Sequence, residues 1–311
     1  MMDTTTAPSE MYLDHAATTS LRPDAVHRMD EISMASLGNA SGQHAAARRA
    51  KNALEEARER AAVLIGAGSP HDIVFTSGGT ESDNLAVIGA TTRNERRRVI
   101  VSAVEHKAVL ESAAVLKRGG VDVGVVAVAG GGMIDVTALE TCLGSPTSLA
   151  SIQTANNETG VVQPIRSLVE QIRRRDADVV VHTDAAQSFV SEGLDVGSIG
   201  VDLASLSAHK FGGPTGVGLL YVAPGTPIEP LVVGGGQEAG LRSGTSNVVG
   251  IVGMVAAMEE AVASSSEFSR RIEVERNDFE TELRHGSQDI AITSADETRL
   301  PHFSHFQIPS V

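Results

Sequence analysis

Of the 25 basic residues only Lys51, Lys107, Lys117 and Lys210 are lysines, so any amine chemistry has few candidates. Lys210 stands out because it follows an apolar stretch, DLASLSA, and precedes the glycine-rich FGGPTGVG. That order predicts an ammonium at the rim of a sheet, in a partly dry cleft where it loses its proton more easily and becomes a nucleophile toward an aldehyde. A surface lysine before a loop has the same local pattern, so the neighbouring clusters must decide. HTDAAQS, at 182–188, places Asp184 at the end of another strand. A carboxylate there can keep a pyridine nitrogen protonated, which pyridoxal 5'-phosphate needs if its ring is to accept electrons. An isolated Asp in this setting is more often a cap or turn residue; the strand-end acid and the strand-end lysine together are more specific.

TSGGTES, at 76–82, adds a third cluster. Backbone amides from Gly79 onward, at a helix start, can hold a dianionic phosphate with the hydroxyls of Thr80 and Ser207. An ordinary capped helix fits the same residues, and no Gly-Lys-Ser/Thr follows to make a Walker motif. His106, just after a strand end, can stack on a planar cofactor and move protons, or simply cap a helix. NNETG, at 156–160, supplies side-chain amides for a phenolic oxygen or a substrate carboxylate. No metal-ligating set is expected. The one cysteine, Cys142, stands beside Leu143 near a helix end, the setting of a small buried apolar side chain.

These residues need a scaffold that brings strand ends together. Residues 44–65 read as an amphipathic helix. IVFT (73–76), VIVSA (99–103), VGVVAV (123–128), SLASIQTAN (148–156), DVVVHTDAA (178–186), DLASLSA (202–208) and VGLLYVA (217–223) read as strands, with helices at 105–118 and 164–175 between them. Strands alternating with helices predict an α/β fold, a mainly parallel doubly wound sheet with helices on both faces, in which ligands bind beyond the carboxyl ends of the strands. The expected division is an N-terminal segment, 1–16, packing with a small domain; a large domain, 17–250; and a partial small α+β domain, 251–311. That last part reads as two consecutive helices, a strand at 289–294 and another near 303–308, leaving unpaired strand edges and Phe303 and Phe306 without a full core.

A hydrophobic fraction of 41% with 3% aromatics and no Trp predicts a core of Val, Ile, Leu and Ala. Net charge of −14 argues against a nucleic-acid surface, which needs basic patches. No uncharged apolar run reaches about 18 residues, so no membrane span is expected. The polar start MMDTTTAPSE and the single cysteine fit a cytoplasmic protein in a reducing compartment.

Seven motifs in order, YLDHAATT (12–19), TSGGTES, VEHKAVL, NNETGVVQPI, HTDAAQS, SAHKFGGPTGVG and LRSGTSN (241–247), resemble the cysteine desulfurases, pyridoxal-phosphate enzymes of fold type I in the class V aminotransferase family. The resemblance covers roughly residues 12–300. It implies that Lys210 is the cofactor lysine and moves the substrate α-proton, that His106 stacks on the ring, and that Asp184 pairs with the ring nitrogen. Gln187 would bond the phenolic oxygen and Asn157 would lie near the substrate carboxylate. Thr80, Ser207 and His209 would hold the phosphate, joined by Thr245 from the neighbouring subunit of a homodimer. L-cysteine or a related small amino acid is the implied substrate, with sulfur passing to an acceptor protein.

The family's sulfur-accepting cysteine loop, and an arginine for the substrate carboxylate, belong to a further C-terminal segment that these 311 residues do not include. The expectation is therefore a chain that needs a complementing chain or an external thiol. Two alternatives remain: a C–S lyase that releases sulfur by β-elimination, and a non-catalytic regulatory subunit.

Overall fold

The computed structural model of the chain describes residues 12–35, 38–287 and 289–308. Pro23 opens the first helix, α1 (Pro23–Met34), where its fixed φ is already helical. In α2 (Ala45–Leu64) the apolar residues recur every three or four positions, so Ala47, Ala50, Leu54, Ala57 and Ala61 form one buried stripe. Then come β1 (Ile73–Thr76) and α3 (Gly79–Asn84), which continues through a π-wound stretch, Leu85–Gly89, into α4 (Ala90–Thr92).

The alternation continues with β2 (Arg98–Ser102), α5 (Lys107–Arg118), β3 (Asp122–Val126), α6 (Val136–Cys142), β4 (Leu149–Ser151) and α7 (Ile165–Arg175). It ends with β5 (Val180–Asp184), α8 (Phe189–Glu192), α9 (Val196–Ile199), β6 (Leu203–Ser207) and β7 (Gly218–Val222). A long helix, α10 (Val248–Gly286), and a short hairpin, β8 (Ala291–Ile292) with β9 (Phe306–Gln307), complete the described chain.

Seven strands form one sheet in the order β1-β7-β6-β5-β4-β2-β3. The ladders from β3 to β6 are parallel, and β7 runs antiparallel between β6 and β1. This is the mainly parallel, doubly wound sheet that the alternation predicts. Its residues alternate between two cores: Ile73, Phe75, Ile100, Val181, Ala204 and Leu206 face one, while Val74, Val99, Val101, Val180 and Leu203 face the other. A period of two is what strands covered on both faces require. Each fully buried Leu, Ile or Val stabilises the fold by about 1.5–3 kcal/mol.

The two helices expected after residue 250 are a single helix of 39 residues. No Gly or Pro interrupts the join, and two of the serines there bond back into the helix: Ser264 Oγ donates to the Glu260 carbonyl and Ser265 Oγ to the Val262 carbonyl. Its residues up to Ala261 sit in the large core, so α10 crosses residue 250 without a break. By length and composition that apolar half would suit a membrane, yet 61% of it is buried within the protein. The final segment is also better packed than its sequence suggests: Phe303 is buried with Leu300 and Ala155, and β8 and β9 pair with each other. The ring of Phe306 rests near Phe279, with centroids 6.1 Å apart. Ala16 packs against that same small cluster, while residues 1–11 of the expected N-terminal segment lie outside the described residues.

Candidate active site

Where β1, β2, β4, β5 and β6 end on the same edge of the sheet, their following turns enclose a cleft of about 610 Å³. From β1 the chain turns through Gly78, whose φ of +154° disfavours any side chain. Gly218 on β7 lies so close that a Cβ there would stand 2.5 Å from the Gly78 backbone. The turn delivers Gly79 and Thr80 to the cleft at the start of α3, whose leading amides have no acceptor within the helix. Ser207, at the end of β6, packs against Gly79 across this turn.

Asp184 ends β5 and accepts a hydrogen bond from the Ala186 N–H at 2.9 Å. Burial pushes its carboxyl up, and His106 and Lys210 pull it back. Lys210 sits in the 3-10 turn after β6. Burial lowers its ammonium, against the attraction of Asp184 and Asp14. His106 does cap α5: its Nδ1 accepts from the Ala108 N–H at 3.2 Å, which leaves Nε2 to carry the ring proton. It also lines the cleft with Asn157, Gln187 and His209, so capping and site placement coexist. His209 is lowered first by burial and then by Lys210 beside it. Thr245, exposed on the loop before α10, does not line this chain's cleft.

Asn156 is consumed by its own loop, accepting from the Glu158 and Thr159 amides, which leaves Asn157 as the NNETG residue at the cleft. Cys142 is half-buried at the end of α6, less enclosed than its apolar setting suggests, and lines neither this cleft nor the adjoining one. That second cavity, of about 820 Å³, shares Asn157, Gln187 and Lys210 and opens toward His15, Arg271 and His302.

Two features of the cleft depend on contacts between residues distant in sequence. The loop at 14–19 closes over Lys210: its Nζ donates to the Ala16 carbonyl at 2.5 Å and the Ala17 carbonyl at 2.9 Å, and Gln187 Nε2 also donates to Ala16. Thr19 ties the same loop to the His209 carbonyl. Beneath Asp184 lies a second layer of buried acids, Asp83 and Glu105, with His182 between Ser151 and Ser205. The only hint in the sequence is that His182 and Asp184 share a strand face at a spacing of two.

The aminotransferase class-V family profile matches residues 11–309. Cysteine desulfurase IscS of Dictyoglomus turgidum is 40% identical over 304 residues, covering 97% of this chain and 76% of that protein. The chain belongs to the cysteine desulfurases of the class-V aminotransferase family. Among solved structures, a NifS-like protein superposes with a TM-score of 0.93 at 37% identity, over 97% of this chain and 82% of that one. SspA in complex with cysteine is similar with a TM-score of 0.81 and 37% identity, over 93% of this chain and 81% of that one. These desulfurases are pyridoxal-phosphate enzymes, and the cleft fits that group. It offers amides without helical acceptors at one end, a buried carboxylate in its floor, and a partly desolvated lysine beside it.

Proposed function

We propose that this cleft binds pyridoxal 5'-phosphate at Lys210 and removes sulfur from L-cysteine, giving alanine and a persulfide on an acceptor thiol. The observation that carries the reading is the convergence of Lys210, Asp184 and His106 at neighbouring strand ends. When bound, the cofactor supplies an electron-withdrawing ring.

The residues divide the remaining work. Lys210, its ammonium weakened by burial, takes the α-proton of cysteine and holds it at Nζ. Asp184 would hold the proton of the ring nitrogen, His106 would lie against the ring and Gln187 would bond the phenolic oxygen. Gly79, Thr80, Ser207 and His209 form the phosphate end, and Asn157 orients the substrate carboxylate. The loop at 14–19 holds the ammonium in place through the carbonyls of Ala16 and Ala17. Cys142 lies away from the cleft, so the acceptor thiol comes from another segment, a partner protein or a small thiol.

Lys210→Ala is expected to remove the visible absorbance of the lysine-bound cofactor and all alanine release; an unchanged spectrum would sink the lysine assignment. The position of Cys142 also favours a second reading, β-elimination, which needs no protein thiol. Pyruvate instead of alanine from L-cysteine would select it.

A further inference from the structure

We propose that Asp83 keeps its proton in the folded protein, so that the acid pair it forms with Asp184 in the cleft floor carries one negative charge instead of two. The inference deepens the proposed function, because Asp184 is the carboxylate that would face the ring nitrogen.

Asp83 projects from α3 and is 1% exposed. Its carboxyl oxygen, that of Asp184 and an imidazole nitrogen of His106 lie within 4.8 Å of one another. Its Oδ1 has no hydrogen-bond partner. His182 Nε2 stands 3.6 Å from that oxygen. That contact has the distance of an ion pair but not its charges. His182 is fully buried, its two ring nitrogens are held by Ser151 Oγ and Ser205 Oγ, and burial lowers its pKa to about 3.

Among the described residues no lysine or arginine pairs with Asp83. From β5 it meets Asp184 and neutral His182, and from the turn before α5 it meets Glu105 and His106. β6 contributes Ser205, whose hydroxyl favours the ionised form, and Lys210 acts on Asp184. On α3 itself, Glu81 is engaged by Arg242. Burial, then Asp184 and Glu105, all raise Asp83 well above the ordinary carboxylate range. A bare carboxylate in this position would be buried, unpaired and next to a second one, which a folded protein avoids by retaining the proton.

Asp83 is therefore a positioning residue. Its proton fixes Asp184 as the single charge of the pair and stops a second charge from raising the pKa of Lys210.

Urea unfolding of the cofactor-free chain tests the proton directly, comparing wild type with Asp83→Asn at pH 5, 6 and 7. In the unfolded chain Asp83 ionises above about pH 3.9, whereas Asn is neutral throughout. A proton retained on folding makes wild type lose stability relative to the variant as pH rises, tenfold in the equilibrium constant per pH unit. A ratio independent of pH overturns the proposal. If the variant does not fold, carboxyl-labelled aspartate NMR of wild type decides: one resonance that stays protonated through pH 7 supports it, and complete ionisation by pH 6 overturns it. With pyridoxal 5'-phosphate added, the pH midpoint of the visible absorbance in Asp83→Asn should match wild type within a few tenths. A fall of a unit or more overturns the charge assignment. A tenfold slope without cofactor uptake would count against the proposed function and leave the proton on Asp83 in place.

Discussion

His302 stands in the wall of the second cavity between the rings of Phe268 and Phe303, at 5.7 and 4.8 Å. Its Nδ1 has no hydrogen-bond partner. Burial first, then Arg276 and His15, lower its pKa to about 4. In the unfolded chain it takes up a proton near pH 6.5, while the folded protein does not until about pH 4. Stability tied to neutral His302 is thus present above pH 6.5 and lost as pH falls from there to about 4. In His302→Gln that loss should vanish, so the variant gains on wild type by up to tenfold in its unfolding equilibrium per pH unit below 6.5. Parallel unfolding curves at pH 5 and 7 would check it. That Lys210 and Asp184 meet in one cleft is legible in the sequence because each stands at the end of an apolar strand, on the edge where the turns gather. Asp83, Glu105 and His182 are not legible, because their role depends on burial against one another, and nothing in their local sequence reports that.

The elements were read most reliably where two cores enforce alternation, as in β1, β2 and β5, whose residues divide between the sheet's faces. Short pieces such as α6, α8 and α9 carry too few turns to display a period, and α10 reads as two helices because its run of serines looks like a loop. One junction leaves no mark in the local sequence, its partners being far apart along the chain. Glu238, at φ 48° just before Ala239 at φ 55°, accepts from Arg58 Nη1 at 2.7 Å, Nη2 at 2.9 Å and the Phe75 N–H at 2.9 Å. It thereby fastens α2, β1 and the loop before α10 together, and both charged side chains are under 10% exposed, at 8% and 4%. Removing Glu238 leaves Arg58 with only the more exposed Glu55, at 3.3 Å, so Glu238→Ala is expected to cost about 3 kcal/mol in urea unfolding. A loss under 1 kcal/mol would mean that the loop relaxes and hydrates Arg58.

At the scale of the whole molecule, Thr245 lies exposed and away from its own cleft, an arrangement that suits service in a second copy of the chain. If it does so, Lys210→Ala and Thr245→Val are complementary defects. Mixed dimers place both lesions in one cleft and leave the other intact. Mixing the two variants should therefore restore tight cofactor sites that neither has alone, measured by visible absorbance at limiting cofactor. A spectrum equal to the average of the two would place Thr245 outside any partner site.

The loop at 14–19 carries a consequence for synthesis. Its anchor, the His209 carbonyl, lies 190 residues further along the chain than Thr19, and Arg22 reaches the Phe211 carbonyl across 189. At about 5–20 residues per second, a ribosome needs roughly 10–40 s to make that distance. Throughout that interval the loop has no place to dock, while β1 waits for β7. The pocket can close only after nearly the whole sheet has been translated, which makes cofactor capture a late event and a report that the preceding two hundred or so residues have found their places.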